Sequence, residues 1–565
     1  MIHSLRLAAA CFAVFGPDPS AGLDAGLLKP SLAAARRNAF NVFNAIHSAT
    51  RQWGSSLRHN GMSVFLATVP AGVLLHHGTP HLDPPPGPEW LAFEIEHAEL
   101  FAHPRPPRRP PPPPEQDLGG GRFPGSPQRP LHHRRTRPPP PPRVLARQDV
   151  LGGGGGPEPP LLLNPPPGPG ADEVLGYLHT YRTTAPLSLL YLDGSSAGKT
   201  DMGTLDTQDL LLRGNRSAFV WDEGRRAQGL CDIVTSWGLH GVIRMEAGFE
   251  IIKCAPFLSH MELASVSQRP GIGDDAPWKS RRDVRMFETI RAVARRYWGI
   301  GAGRIVLDWG SMVSGYFYDV DLGLGDQSQA AALPRLTRLT DSELKDIRRS
   351  VKEMAGERGP ASTGRSDAGG KRGAVDWQGV VDLVVARYAE RLRYMAEGVE
   401  TVEGIEDEVG SLLDTHIDYA AQDEGYAAAA KRCAGFYTQG LTPETQGDRL
   451  VLAAIETVAE RICSTLFHVR QLVLERPEGG DGEMLKNVKD ILQRLMKRLA
   501  WTNWMDCRGC GIDEVCFLPM WPYGDRPSHE QPNCRNATTL QTGWLEDGYW
   551  KPGIPGGPRA GRPPP

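Results

Sequence analysis

The sequence lacks a charge imbalance, a long apolar run and an internal repeat. Its 63 Lys and Arg residues nearly balance 66 Asp and Glu residues, so the formal net charge is -3 at pH 7. This balance gives no general attraction to nucleic acid or to an anionic membrane surface. Beyond the N-terminus, no run approaches the roughly 20 apolar residues that a membrane helix needs. We therefore expect no nucleic-acid partner and no membrane span in the mature chain.

Proline and glycine are abundant, with 50 and 64 residues, but they are unevenly distributed. Residues 104–170 contain runs such as "RPPPPPR" and "LGGGGGPEPP", which cannot bury a core. The composition predicts a disordered insert between folded segments. Because the insert is rich in proline and arginine, the alternative is a segment that binds a proline-recognising protein or an anionic surface.

The N-terminus resembles a short secretory signal over residues 1–21. Arg6 precedes an apolar stretch at 7–15, and small residues follow. Glycosylation sequons that begin at Asn215 and Asn536 agree with secretion. The alternative is a cytoplasmic protein whose chain starts with an ordinary apolar helix.

The nine cysteines also suit secretion, because Cys11 lies in the signal and an even number remains. The candidate disulfide cysteines are Cys231, Cys254, Cys433, Cys463, Cys507, Cys510, Cys516 and Cys534. The Cys-x2-Cys pair at 507–510 could instead belong to a zinc site, but no second such pair or suitably spaced histidine accompanies it. We favour disulfides and expect no metal. Cys231 and Cys254 flank the strand "FEIIK" and could form a disulfide that braces it, with buried free thiols as the alternative.

Hydrophobic periodicity predicts an α+β fold with a helical C-terminal part. Segments such as "MSVFLATV" and "FEIIKC" are typical of strands, whereas "RLVLAAIETVAERICSTLFHVRQLVL" is typical of a long amphipathic helix. The predicted layout is a signal at 1–21, an α+β domain at 30–270, a mixed α/β extension at 271–335, a helical region at 336–505 with a flexible insert at 359–373, and a Cys-rich tail with a disordered C-terminus at 506–565.

The stretch "LYLDGSSAGKT" is similar to the phosphate-binding loop of nucleotide kinases. That loop requires Gly-x4-Gly-Lys-Ser/Thr, so that successive amides surround a phosphate. Here only three residues separate Gly194 from Gly198, and Asp193 occupies the place of the first glycine. A carboxylate there would repel a phosphate. We therefore expect a strand and a tight turn with Lys199 as a solvated loop residue, and keep a P-loop kinase as the third hypothesis.

Two other segments carry a different pattern. In "AGVLLHHGT" an apolar strand ends in His77-Gly78-Thr79, and in "WLAFEIEHAELFA" an aromatic strand that starts at Trp90 passes into a helix. These segments resemble the ADP-ribosyltransferase superfamily, in particular the members with a His-Tyr-Glu triad. The resemblance implies that residues 77–79 and Trp90 bind NAD, with Trp90 in place of the stacking tyrosine, on a split β-sheet.

The third element of that resemblance is "GLHGVIRMEAGFEIIKC", in which Glu250 matches the catalytic glutamate and Glu246 is the second choice. The implied activity is that of a secreted NAD-dependent ADP-ribosyltransferase, with an unknown protein target, or of an NAD glycohydrolase. A carboxylate at this place would stabilise an oxocarbenium ion. The alternative is a non-catalytic extracellular binding or structural protein on the same scaffold. The layout of the whole chain resembles uncharacterised, secreted fungal proteins.

Overall fold

A computed structural model describes residues 27–102, 176–269, 282–296, 298–301, 303–325, 333–360, 375–420, 426–476, 479–540 and 549–550. The predicted signal, the insert at 104–170 and most of the insert at 359–373 lie outside these ranges. Nothing in the structure therefore tests the predictions made for them.

The strands of the N-terminal half form one sheet with the spatial order β8-β4-β2-β3-β7-β6-β5-β1-β9. In chain order they are β1 (Asn60–Val69), β2 (Leu74–Thr79), β3 (Glu89–Ala92), β4 (Gly176–Thr183), β5 (Leu187–Gly194), β6 (Gly241–Glu246), β7 (Gly248–Lys253), β8 (Met261–Arg269) and β9 (Val306–Ser314). Strands β5 and β6 are parallel, and the other neighbours are antiparallel. The predicted α+β class is confirmed. All nine strands hydrogen-bond into one sheet, and the split arrangement implied by the resemblance is not confirmed.

Helices cover both faces of this sheet and dominate the C-terminal half. They are α1 (Leu32–Arg37), α2 (Ala39–Ser48), α3 (Gln52–Leu57), α4 (Ile95–Glu99), α5 (Glu223–Thr235), α6 (Arg282–Arg291), α7 (Asp341–Arg358), α8 (Trp377–Arg393), α9 (Val402–Leu413), α10 (Tyr426–Gly435), α11 (Gln446–Leu474), α12 (Asp481–Leu499) and α13 (Arg526–Glu530). A small hairpin of β10 (Val515–Phe517) and β11 (Asn533–Arg535) lies in the tail. Because both faces of the main sheet are covered, every residue of β6 and β7 is buried.

One apolar core joins the sheet to the helical region. It runs from Phe43 on α2 through Tyr191 on β5 to Leu466 on α11 and Trp501 after α12. Helix α11 packs against α2, α9, α10 and β9, and so connects the two halves of the chain. None of the helices among the described residues is both long and apolar enough to cross a membrane.

Four disulfides join the eight predicted cysteines. Their pairs are Cys231–Cys254, Cys433–Cys463, Cys507–Cys516 and Cys510–Cys534. The first pair ties α5 to the end of β7, and the second ties α10 to α11. The disulfide prediction is therefore confirmed, and neither the zinc site at 507–510 nor free thiols at 231 and 254 occur in this structure.

Candidate active site

A narrow pocket lies where β2, β3, α4 and β7 meet. Its lining comprises His76, His77, Gly78, Glu89, Trp90, Ala92, His97, Ala98, Phe101, Glu223 and Glu250. The pocket has a volume of about 30 Å³, which is room for little more than one water molecule. Aromatic rings and apolar side chains surround a few convergent polar groups, as is usual for small-molecule sites.

Sheet register brings together residues that are far apart in sequence. Ala92 on β3 pairs with Glu250 on β7, and Trp90 pairs with Ile252. His76 on β2 pairs with Ala92, which places β2 on the other side of β3. Of the predicted NAD-binding and catalytic residues, those at positions 77, 78, 90 and 250 line this one pocket.

Thr79 is the exception among the predicted residues, because it is buried outside the pocket lining. Its hydroxyl accepts a hydrogen bond from the amide of His81 at 3.3 Å. This contact lies within the turn that follows β2. Thr79 therefore has a structural role at the end of the strand.

Gly78 allows α4 to lie directly on β2. A β-carbon at Gly78 would stand 2.1 Å from the carbonyl oxygen of Ala98 and 2.6 Å from the amide of Ala102. Any other residue would push the helix away from the strand. The absence of a side chain at Gly78 therefore places Phe101 and His97 against the pocket.

Three polar atoms of the pocket residues have no hydrogen-bond partner among the described residues: Nε2 of His77, Nε1 of Trp90 and Nδ1 of His97. The Nδ1 atom of His77 donates to the carbonyl of Trp90 at 2.8 Å. Burial, together with nearby His179, lowers the pKa of His77 to about 3, so its ring is neutral and Nε2 is an acceptor. Because buried polar groups are normally hydrogen-bonded, one acceptor and one donor here point to a ligand.

Glu250 is held by Arg244 on the neighbouring strand. The Nε atom of Arg244 donates to Oε1 of Glu250 at 2.7 Å, and the same guanidinium donates to Glu223 on α5 and to Gln208. Burial raises the pKa of Glu250, and the nearby Glu246 charge adds to this, although Arg244 opposes it. Glu250 is thus oriented by a fixed cation while burial disfavours its charge.

Glu246 lies behind Glu250 and forms a second buried ion pair. Lys199 donates from Nζ to Oε2 of Glu246 at 3.1 Å, and the Nε2 atom of His97 lies 3.3 Å from Oε1. Burial alone would raise the pKa of Glu246, but Lys199 and His97 outweigh it and lower the value. Two neighbouring carboxylates therefore have pKa values shifted in opposite directions, a pattern of acid–base sites.

Lys199 contradicts the prediction that it is a solvated loop residue. It is fully buried, it also lies 3.7 Å from Glu223, and the ring of Trp521 covers its ammonium group at 4.7 Å. The prediction was wrong because partners that bury Lys199 come from α5, β6 and the Cys-rich tail. We name the group of Lys199, Glu223, Arg244, Glu246 and Glu250 the buried charge network.

The atoms of His97, Glu246 and Glu250 lie within 4.8 Å of one another, which is close enough to share a metal ion. The chemistry of their surroundings does not suit one. Lys199 and Arg244 already neutralise the two carboxylates, and a cation among them would meet like charge at short range.

Sequence reasoning missed His97, Glu223 and Arg244. A signal was present for Arg244, because a charged residue inside "GVIRM" interrupts an otherwise apolar strand, and a buried charge needs a partner. No comparable signal marked Glu223, which begins a helix like many surface glutamates.

The two predicted sequons lie in turns, where Asn215 accepts from the amide of Ser217 and Asn536 from that of Thr538.

Comparison with known proteins identifies relatives in yeast. Residues 33–270 match the family model described as the YPL277C N-terminal domain. Uncharacterized protein YOR389W of Saccharomyces cerevisiae is 24% identical over 559 residues, spanning 86% of this chain and 82% of that protein. Uncharacterized protein YPL277C of the same yeast is 31% identical over 239 residues, 40% of this chain and 43% of its own length. No solved structure matches significantly. The predicted similarity to uncharacterised fungal proteins is confirmed.

Proposed function

We propose that the pocket binds the nicotinamide end of NAD and that the chain cleaves its glycosidic bond, as an ADP-ribosyltransferase or an NAD glycohydrolase. The observation that carries the proposal is the meeting of His77, Gly78, Trp90 and Glu250 in one pocket. The proposal rests on these side chains and not on the topology of the sheet.

Two of the three unpartnered atoms fit a carboxamide. Nε2 of His77 is an acceptor and Nε1 of Trp90 is a donor, and a carboxamide offers one group of each kind. The flat indole supplies apolar surface to an aromatic ring. Nicotinamide combines this amide with a planar ring, so it matches both the unpartnered polar atoms and the flat indole surface.

In the proposed reaction the bond between the pyridinium nitrogen and the ribose C1′ breaks. The electron pair leaves with neutral nicotinamide, and C1′ becomes an oxocarbenium ion. Water or a target side chain then adds to C1′ and releases a proton. Ionised Glu250 stabilises the developing cation. Because burial raises the pKa of free Glu250, the positive ring is expected to lower it on binding, with release of a proton.

The pocket has to enlarge before it can bind NAD. About 30 Å³ is too small for a pyridine ring, since ligand sites usually measure about 300–1,000 Å³. Binding therefore requires that α4, together with the following Phe101, moves away from β2. The close contact at Gly78 makes this helix the wall that has to move.

The test is release of nicotinamide from NAD by the purified full-length chain, measured by chromatography. The Glu250→Gln variant keeps an acceptor for Arg244, and we expect at least a 100-fold loss of turnover in protein that circular dichroism shows to be folded. The control is Glu262→Gln, which alters an exposed pair on β8 and should leave turnover intact. Undiminished turnover by a folded Glu250→Gln variant would refute the assignment.

A second candidate is a non-catalytic binding or structural protein. It is favoured by the observation that Glu223, Glu246 and Glu250 each contact a lysine or arginine. In that case the wild-type chain neither turns over nor binds NAD.

The third hypothesis, a nucleotide kinase, requires Lys199 to reach a phosphate, and its buried pair with Glu246 disfavours this. Loss of ATP binding in Lys199→Ala is what that hypothesis predicts.

A further inference from the structure

A second and much larger cavity lies between α2, α3 and the Cys-rich tail. Its volume is about 460 Å³, within the range of small-molecule sites. The residues that matter for its chemistry are His47, Ser48, Trp53, Trp298, Asn503 and Asp506. Cys507, Cys510 and Cys516 form part of its wall, and disulfides link them to one another and to Cys534. We call it the tail cavity.

Ser48 supplies a buried polar atom without a partner. Its residue is 6% exposed, and its Oγ atom has no hydrogen-bond partner among the described residues. Ser48 lines the tail cavity. Leaving a buried hydroxyl unpaired costs about 1–3 kcal/mol. In this structure Oγ lies against Gly54, so a ligand hydroxyl or carbonyl recovers that free energy only when Ser48 changes rotamer and turns Oγ into the cavity.

The backbone at the cavity is strained at two non-glycine residues. Thr50 has φ 61° and Trp298 has φ 52°, and both are bulky residues that rarely adopt this left-handed conformation. The two segments fix each other, because the amide of Gln52 donates to the carbonyl of Trp298 and that of Ile300 to the carbonyl of Thr50. Backbone strain of this kind is concentrated at functional sites.

The strain presents an indole to the cavity. Trp298 is 48% exposed, although a tryptophan usually buries most of its ring. The guanidinium of Arg51 lies 4.9 Å from the centre of its ring. Trp53 is held nearby by a hydrogen bond from Nε1 to the carbonyl of Thr502 at 3.1 Å.

The charges of the cavity do not favour an anion. Arg51 donates to both carboxylate oxygens of Asp382, so its charge is already paired. Arg295 donates to the backbone of Glu514, and the carboxylates of Asp506 and Glu514 also line the cavity. Partial burial raises the pKa of Asp506, although the residue as a whole is exposed and its carboxyl is accessible to a neutral ligand.

We propose that the tail cavity binds a neutral polyhydroxylated ring, such as one or two units of a sugar chain. The apolar face of the ring packs against Trp298, while its hydroxyls bond to Oγ of Ser48 and to the exposed side chains of Asn503 and Asp506. Hydroxyls can both donate and accept, which suits a lining with both kinds of group. This site is separate from the pocket at Glu250 and does not depend on its function.

The test is a titration of the oxidised full-length chain, followed by tryptophan fluorescence and by calorimetry. The probes are glucose, mannose, galactose, N-acetylglucosamine and their linked trimers. We expect saturable binding of at least one trimer. Trp298→Gly should weaken it at least tenfold while the melting temperature is maintained or raised, because glycine relieves the left-handed backbone. A purely structural role for Trp298 predicts the reverse pattern.

Ser48→Ala is the second variant, since it removes one hydroxyl without altering the indole, and a two- to tenfold weakening is expected. Tyr419→Ala is the control, because Tyr419 is another exposed aromatic residue, at 70% exposure, outside the cavity. Two results would overturn the proposal: no saturable binding of any of these sugars, or binding that Trp298→Gly and Ser48→Ala leave unchanged in folded protein. Preferential binding of citrate or inorganic phosphate would also overturn it.

Discussion

Two buried regions of this chain are stabilised in opposite ways. Around the β6–β7 hairpin, fully buried Lys199, Arg244 and Glu246 are held together by charge. Around α11, fully buried Ile455 and Leu466 are held by apolar contact. Buried ion pairs stabilise little overall, because desolvation offsets attraction. A protein that needed only stability could have used apolar residues in both regions.

Stability alone therefore does not explain the charges buried at the hairpin. Removing a charge from the network leaves its partner buried and uncompensated, whereas truncating an apolar residue leaves a cavity. The network is also the region that adjoins the pocket. Perturbed pKa values next to a cleft are a mark of functional sites. The following predictions test this contrast.

Acidification should destabilise the β6–β7 hairpin more than the region around α11, and this is the largest effect that we expect. Burial alone would raise the pKa values of Glu223 and Glu246, but neighbouring cations lower both. For lowered pKa values, the stabilisation is complete above the unfolded value of about 4.5 and is lost as pH falls through the folded values. The raised pKa of Glu250 has the opposite effect, because protonation of this group favours the folded state as pH falls. It is one group, whereas Glu223 and Glu246 are two.

Hydrogen exchange between pH 7 and pH 3, corrected for intrinsic rates, measures this. The amides of β6 and β7 should lose protection at a higher pH than those of α11. Parallel loss in both regions would show that the network does not control the acid response of the hairpin.

Arg244→Met should have the next largest effect. It keeps the volume of the side chain but removes the charge that Glu223 and Glu250 share. Removal of one partner of a buried pair costs about 3–5 kcal/mol of unfolding free energy. Urea denaturation measures the loss, and it should shrink at low pH, where the orphaned carboxylates become protonated. A loss below about 1 kcal/mol would mean that the ion pairs of Arg244 contribute no more to stability than exposed ion pairs do.

Ile462→Ala tests the apolar region. Ile462 on α11 is fully buried in the core that joins the two halves. The expected cost is about 3 kcal/mol, from lost burial and from the cavity that remains. Because no charge is involved, the loss measured in urea should be the same at pH 5 and pH 8. A strong pH dependence would mean that the two regions are electrostatically coupled.

Glu262→Gln should have the smallest effect. Glu262 pairs with Arg182 at the sheet edge, with side chains 46% and 56% exposed. Exposed pairs contribute about 0–1 kcal/mol, and salt screens them. The change in urea midpoint should therefore disappear in 1 M NaCl. A persistent loss comparable to that of Arg244→Met would remove the distinction between buried and exposed charge in this chain.

Much of the local structure could be predicted. The strands "MSVFLATV" and "FEIIKC" follow from their apolar, β-branched composition, and the helix starting after Thr340 follows from its capping box, which the structure contains. Even the meeting of His77 with Glu250 was implied by resemblance. Such features depend on residues that are near one another or on a pattern that covers a whole element.

Other features could not be predicted because they depend on distant partners. Lys199 follows a glycine-rich turn, where a lysine is ordinarily solvated. Its burial depends on Glu246, Glu223 and Trp521, which come from three separate segments. The tail cavity likewise depends on contact between α2, α3 and the Cys-rich tail.

Periodicity and composition act locally, and they were enough to predict the α+β class, the main elements and the cysteines that form disulfides. The tertiary structure alone decided which charges are buried together, which cysteines pair and how small the pocket at Glu250 is. The physical reason is that desolvation, ion pairing and cavity volume depend on all the segments that surround a group, whatever their separation along the chain.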